Sequence, residues 1–178
     1  MRRWLILTLA VLVLALLGWG LWRILVPIEC CLPPPSPEVP RVDHILIEKS
    51  ARRLVASLEG QPVLEFDIAL GFAPEGDKMQ EGDGKTPEGL FQVDRRNAQS
   101  GYHLSLGLDY PLAEDEARAA EAGVDPGGDI FIHGQPNAVG NVLTLPGDWT
   151  AGCIAISNQE MEQLWALVEI GTTVEIRP

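Results

Sequence analysis

The sequence predicts a mainly β domain, a mixed sheet or sandwich with two or so helices, preceded by one N-terminal transmembrane helix. Three observations predict it. Apolar runs of strand length, separated by Gly and Pro clusters, recur from Val42 to the C-terminus. Only Pro111–Glu121 and Ser157–Val168 carry helix signals. One apolar stretch, Trp4–Trp22, opens the chain and is broken only by Thr8.

Trp4–Trp22 is about 19 residues, enough to cross a hydrocarbon core. Arg2 and Arg3 precede it and hold the N-terminus in the cytoplasm, so the rest of the chain is exported. No small-x-small cleavage site follows, which predicts an uncleaved signal anchor over residues 1–28. The expected location is a bacterial inner membrane, single-pass, with the following domain on the periplasmic side. Residues 29–41 contain LPPPSPEVP, an extended polyproline linker. Cys30 and Cys31 lie beside it. Glu29 stands where a lipid-attachment site needs a small residue, so no specific role is expected for either.

A domain is predicted over 42–178. Ile45–Ile47, Leu54–Ala56 and Val63 through Leu70 read as a three-stranded meander with a turn at Glu59-Gly60. His44 reads as structural or exposed. Residues 71–89 form a loop whose Gly82-Asp83-Gly84 fits neither a calcium loop nor a phosphate loop. Thr86-Pro87-Glu88-Gly89 makes a rigid turn feeding the strand Leu90–Val93. Tyr102 and His103 read as structural, with a substrate-side role as the alternative. Pro111 starts a helix whose Glu114, Asp115 and Glu116 complement its positive end, and Gly123 stops it. Ser157 to Glu160 is a capping box. Met161, Leu164, Trp165 and Val168 then form one apolar face. Gly171 is read as the stop and Thr173–Ile176 as the final strand.

The net charge is −12 over 178 residues, and the arginines at 2, 3 and 23 make the folded part more acidic still. That excludes a nucleic-acid surface and suits solubility. The three cysteines form no disulfide framework and no C-x-x-C redox pair. Three scattered histidines and one usable cysteine predict no metal and no cofactor. A protein partner is not legible.

The chemistry concentrates in Asp129–Asn158. An apolar run, Ile130–Ile132, ends on His133-Gly134, and Thr150-Ala151-Gly152-Cys153-Ile154 closes the stretch. A thiolate is a strong nucleophile near neutral pH, and histidine is the base that makes it. The two lie 20 residues apart, so only a fold can join them. Gly152 allows a tight turn and could leave the amides of residues 152 and 153 free for an oxyanion. The same residues also fit a buried cysteine and a satisfied core histidine.

His-Gly, a loop, then Thr-x-Gly-Cys-Ile resembles the signature of L,D-transpeptidases of the YkuD type. Lys85-Thr86-Pro87-Glu88-Gly89-Leu90-Phe91 is similar to that family's upstream T-P-x-G-x-F segment, and Gly171–Ile176 to its closing strand. The resemblance runs from about Val42 to Ile176. Many members read Ser-His-Gly-Cys-Ile-Arg, whereas this chain has Ala151 and Ala155 at the histidine and arginine positions. Trp149-Thr150-x-Gly152-Cys153 is more like the YafK branch, whose members can cleave murein-linked amides. The resemblance implies the following roles. Cys153 is the nucleophile, His133 the base, and Gly152 with Cys153 the oxyanion site. Gly134, Thr150, Trp149 and Thr86 lie on the substrate side. Peptidoglycan stem peptides are the substrate, with an amine or water as acceptor. A backbone carbonyl near residue 151 is the candidate that orients His133. An inert wall-binding module is the remaining alternative.

Overall fold

The structure, a computed structural model, describes residues 15–16 and 41–178. The anchor, the cysteines at 30 and 31, and the linker apart from Arg41 lie outside the described residues, residues 15–16 excepted. Among the described residues no helix is long and apolar enough to cross a membrane.

Eight strands and two helices follow in chain order: β1 Val42–Glu48, β2 Arg53–Leu58, β3 Gln61–Asp67, β4 Gly89–Ser100, β5 His103–Leu108, α1 Ala113–Ala122, β6 Phe131–His133, β7 Ile154–Ala155, α2 Asn158–Leu167 and β8 Val168–Arg177. They form one mixed sheet in the order β3-β2-β1-β8-β4-β5-β6-β7. β1/β8 and β6/β7 are parallel and the other pairs antiparallel. The predicted class, mainly β with two helices, is the observed one.

The meander closes as its sequence implies. Glu59 (φ 50°) and Gly60 (φ 76°) are consecutive left-handed residues, the backbone of a two-residue hairpin turn. The Asp43 carboxylate accepts the Glu59 N–H at 2.8 Å and holds that turn. Strand alternation buries Ile45 and Ile47, Leu54 and Ala56, Phe91 and Val93, and Val174 and Ile176. α2 adds Met161 and Leu164 to this core, with Val168 just beyond it. Its capping box is present: Ser157 Oγ accepts the Glu160 N–H and Glu160 accepts the Ser157 N–H at 2.8 Å. Trp165 is covered by the Arg96 guanidinium, 4.0 Å above its ring.

Several boundaries differ from expectation: β4 runs on to Ser100, β5 was not expected, and β8 begins at Val168. Ile68–Leu70 is not strand, although Ala69 bridges Ala155. Pro111 precedes the helix, which starts at Ala113; the Asp115 carboxylate caps it by accepting the Leu112 N–H at 3.0 Å. Gly171 does not stop α2. The helix passes straight into β8, because Val168 turns extended to pair with Val42. Gly171 (φ 92°) instead sits in a bulge between Val168 and Thr173. There Thr172 Oγ1 donates to the Val42 carbonyl at 3.3 Å. α1 packs on the 71–89 loop through Arg118, which donates to the Lys78 carbonyl at 2.9 Å, and it does not line the cavity described next.

Candidate active site

Strand register brings Cys153 and His133 to one face. β6 and β7 pair in parallel with Ile132 opposite Ile154 and His133 opposite Ala155. Continued by one residue, this register sets Cys153 level with Phe131. Side chains alternate across a strand, so Ile132 and Ile154 enter the core while His133 and Cys153 share the other face. Both isoleucines are 0% exposed. Strand spacing and rise separate the two backbones by about 8 Å, within reach of side chains that converge. Both residues line one cavity of about 430 Å³, with Asn97, Ser105, Tyr102 and Trp149 in its walls. A second, more polar cavity of about 510 Å³ lies beyond Gln135 and contains neither residue.

The turn that presents Cys153 is tied down by Thr150. The Thr150 hydroxyl accepts the Gly152 N–H at 3.1 Å and donates to the Cys153 carbonyl at 2.7 Å. The Thr150 backbone is itself held on both sides: its N–H donates to Leu70 O at 3.1 Å and its carbonyl accepts Phe72 N–H at 2.9 Å. Gly152 has φ 139°, and a Cβ there would stand 2.7 Å from the Lys85 carbonyl oxygen. The nucleophile turn therefore packs directly on the 71–89 loop, and only glycine permits it.

Thr86 secures that loop from behind. It is 0% exposed and does not line the cavity. Its Oγ1 accepts the Gly71 N–H at 3.3 Å, and its carbonyl takes the buried Lys49 ammonium at 2.9 Å. Lys49 also donates to Gly76 O at 2.6 Å and to Glu88 at 2.8 Å. Asp83 likewise fills its own turn. Burial alone would raise its pKa, but the N–H groups of Met79, Lys85 and Gln80 and the Lys78 ammonium hold it down to about 2. Among the described residues no group of His, Cys, Asp and Glu could hold a metal ion.

His133 Nδ1 lies 2.7 Å from the Gly134 carbonyl. A carbonyl can only accept, so Nδ1 carries the proton and Nε2 keeps its lone pair. The orienting group is thus a backbone carbonyl as expected, but that of residue 134 rather than one near 151. Gly134 acts through this carbonyl and does not line the cavity. The Tyr102 ring lies 4.6 Å and the Trp149 ring 5.8 Å from the imidazole, and 6.1 Å from each other. Burial holds the His133 pKa below its ordinary value, against the Gly134 carbonyl. Burial pushes the Cys153 thiol up and Asp129 adds to that, while the Phe131 N–H, Lys78 and Arg95 act the other way. Burial thus works on both groups toward their uncharged forms.

The oxyanion site is narrower than the sequence implied. The Gly152 amide is engaged by Thr150, whereas the Cys153 N–H has no partner among the described residues. The cavity also holds residues that the sequence reading did not assign to the site, among them Asn97, Ser105, Asp129 and Tyr102, the last read there as structural. Tyr102 sits at the β4–β5 hairpin, where nothing in the sequence ties it to His133. Asp129 lines the same cavity, and its carbonyl lies 3.4 Å from the Cys153 sulfur. His103 pairs with Glu162 at 2.9 Å, and His44 with Glu175 at 3.4 Å, both outside the cavity.

Comparison with known proteins agrees with this geometry. The family of the L,D-transpeptidase catalytic domain (YkuD) matches residues 42–176. The YafK protein of Escherichia coli strain K12, which carries the L,D-transpeptidase name, is 28% identical over 95 residues, 52% of this chain and 32% of that protein. The helical cell shape determining protein Pgp2 of Campylobacter jejuni is 28% identical with a TM-score of 0.59, covering 78% of this chain and 48% of that one. Bd1075 of Bdellovibrio bacteriovorus shares the fold at 24% identity and a TM-score of 0.56, over 80% and 50% of the two chains. This chain thus spans about a third of its curated relative and about half of Pgp2. A match that runs nearly the full length of the sheet, and includes the strand that carries His133 and the turn that presents Cys153, means that the chain belongs to the YkuD family of L,D-transpeptidase catalytic domains.

Proposed function

We propose that this domain is a cysteine acyltransferase acting on peptidoglycan stem peptides. The observation that carries the reading is the pairing of a half-buried thiol with a neutral imidazole whose Nε2 is left basic, on one face of the sheet and in one cavity. Nε2 takes the thiol proton as Sγ attacks an amide carbonyl. The Cys153 N–H supports the oxyanion. The C–N bond breaks, and the imidazolium returns its proton to the leaving amine, D-alanine in a tetrapeptide stem. The thioester then passes to an amine, with His133 removing that amine's proton.

The same thioester opened by water would make the domain a murein hydrolase. Only the second step differs, so products discriminate. The tie to wall metabolism draws on the family and on the cell-shape role carried in the name of Pgp2. We place the domain outside the cytoplasm, tethered by the apolar segment Trp4–Trp22. The test is incubation with a disaccharide-tetrapeptide. Cross-linked dimers with free D-alanine mean transpeptidation, and tripeptide with D-alanine means hydrolysis. Neither product, from folded protein with a free thiol, favours another murein-linked amide as substrate or the inert wall-binding module. Turnover that survives Cys153→Ala would refute the covalent route.

A further inference from the structure

We infer that Asn158 is a positioning residue of the catalytic pair: its side-chain oxygen fixes one peptide plane, and that plane aims the Gly134 carbonyl at His133. The inference rests on the reading that His133 is the base for Cys153.

The carbonyl of Gly134 and the N–H of Gln135 belong to the same peptide unit. The unit is planar and trans, so the two groups point in opposite directions. One end meets His133 Nδ1 at 2.7 Å, and the other donates to Asn158 Oδ1 at 2.7 Å. A plane held at both ends cannot rotate without breaking both bonds. Gly134 leaves room for the Asn158 amide, since a Cβ there would stand 2.5 Å from the same Oδ1. The two bonds polarise one peptide in the same sense, so each strengthens the other. That counts most once Nε2 has taken the thiol proton, because an imidazolium Nδ1–H binds a carbonyl more strongly than a neutral one.

The helix itself does not call for asparagine at this place. Ser157 already caps α2 through the Glu160 N–H, and asparagine propagates a helix less well than alanine. Asn158 is nevertheless only 6% exposed and bonded at both ends of its amide. Its Nδ2 donates to the Gly140 carbonyl at 3.2 Å and to Asn141 Oδ1 at 2.6 Å. The amide cannot be turned over, because a backbone N–H only donates and so requires the oxygen. Gln135 ties the same knot from its own side chain. Its Nε2 donates to the Ile156 carbonyl at 2.7 Å and its Oε1 accepts the Leu145 N–H at 2.9 Å. The Ile156 N–H in turn holds the His133 carbonyl at 3.0 Å. Asn158 lines the second cavity and not the one that holds Cys153, so it acts on the base from behind.

Two variants of the full chain test this. Asn158→Leu roughly keeps the volume and removes the acceptor. Asn158→Asp keeps the acceptor, and the exposed Asn141 amide can turn to donate to it. The readouts are nitrogen NMR of 15N-labelled histidine, with His133 assigned by its loss in His133→Gln, and the rate of Cys153 adduct formation with a disaccharide-tetrapeptide. Wild type should carry the His133 proton on Nδ1 alone. Asn158→Leu should give a mixture of tautomers and form the adduct about a hundredfold more slowly. Asn158→Asp should restore the Nδ1 tautomer and most of the rate. Its His133 should also titrate at higher pH than in wild type, because a negative charge now faces the imidazolium across one peptide. A His133 protonated only on Nδ1 in Asn158→Leu overturns the proposal at any rate of adduct formation, since slowing alone would be a merely structural effect. Should Asn158→Leu fail to fold, Asn158→Asp decides, and an unmoved His133 titration there overturns the proposal. A wild type that forms no adduct, yet loses its single tautomer in Asn158→Leu, supports the positioning while the acyltransferase reading fails.

Discussion

Thr150→Val isolates the contribution of one hydroxyl to the nucleophile turn. Valine keeps the branched shape, so the packing volume changes little. What is lost is the acceptor for the Gly152 N–H and the donor to the Cys153 carbonyl, at a residue 5% exposed. Two buried backbone groups lose their partner at once. Each such loss costs about 1–3 kcal/mol, and partial access to water in the cavity favours the lower end. The expected destabilisation is about 2 kcal/mol. For a domain of this size that lowers Tm by about 6–8 °C. Turnover should fall further than stability explains, because the freed turn no longer fixes Sγ in the cavity that also holds His133. A misplacement of about 1 Å can cost on the order of a hundredfold. Differential scanning calorimetry and steady-state kinetics on the same preparation separate the two effects. Thr150→Ser should restore both. Thr150→Val with wild-type Tm and wild-type kcat would refute the argument.

Burial raises the Cys153 thiol, so its alkylation by iodoacetamide should follow a midpoint above the ordinary thiol value. A midpoint near pH 6 would mean a preformed ion pair. Turnover should rise on the acid side with a midpoint below 6.5, because burial lowers the His133 pKa. The same group makes the fold acid-sensitive: the unfolded chain binds the extra proton between the folded pKa and 6.5, so its contribution is complete above 6.5 and lost below the folded pKa. Lys49→Met should cost about 3–5 kcal/mol in urea unfolding, since it orphans two carbonyls and the Glu88 carboxylate; a loss under about 1 kcal/mol would show that the loop does not depend on it. Gly152→Ala should give a folded protein of low activity, because its Cβ would meet the Lys85 carbonyl at 2.7 Å; full activity would show that the turn is not confined.

The strand pattern was legible because one face of most strands is buried and alternation follows from that. The α2 capping box was legible because its chemistry is local. The Cys153/His133 pair could be singled out by residue type and by the flanking glycines. Its geometry could not, since the parallel β6/β7 register depends on a 20-residue connection. Gly171 misled because glycine signals both a helix end and a bulge, and pairing with Val42 decided between them. Thr86 and Gly134 were read from the motif alone, and only the fold shows Thr86 bonded to Gly71 and the Gly134 carbonyl bonded to the His133 ring. Tyr102 was weighed for the substrate side and read as structural, and Asp129 was not read as a site residue, because only tertiary structure brings them to the cavity.

The most direct test is intact-protein mass spectrometry of the full chain mixed briefly with a disaccharide-tetrapeptide and quenched in acid. The account predicts an adduct equal to the donor minus D-alanine, localised to Cys153 and lost on treatment with hydroxylamine. It also predicts much slower adduct formation in His133→Ala. Turnover of the donor with no adduct at any quench time, and undiminished in Cys153→Ala, would contradict it.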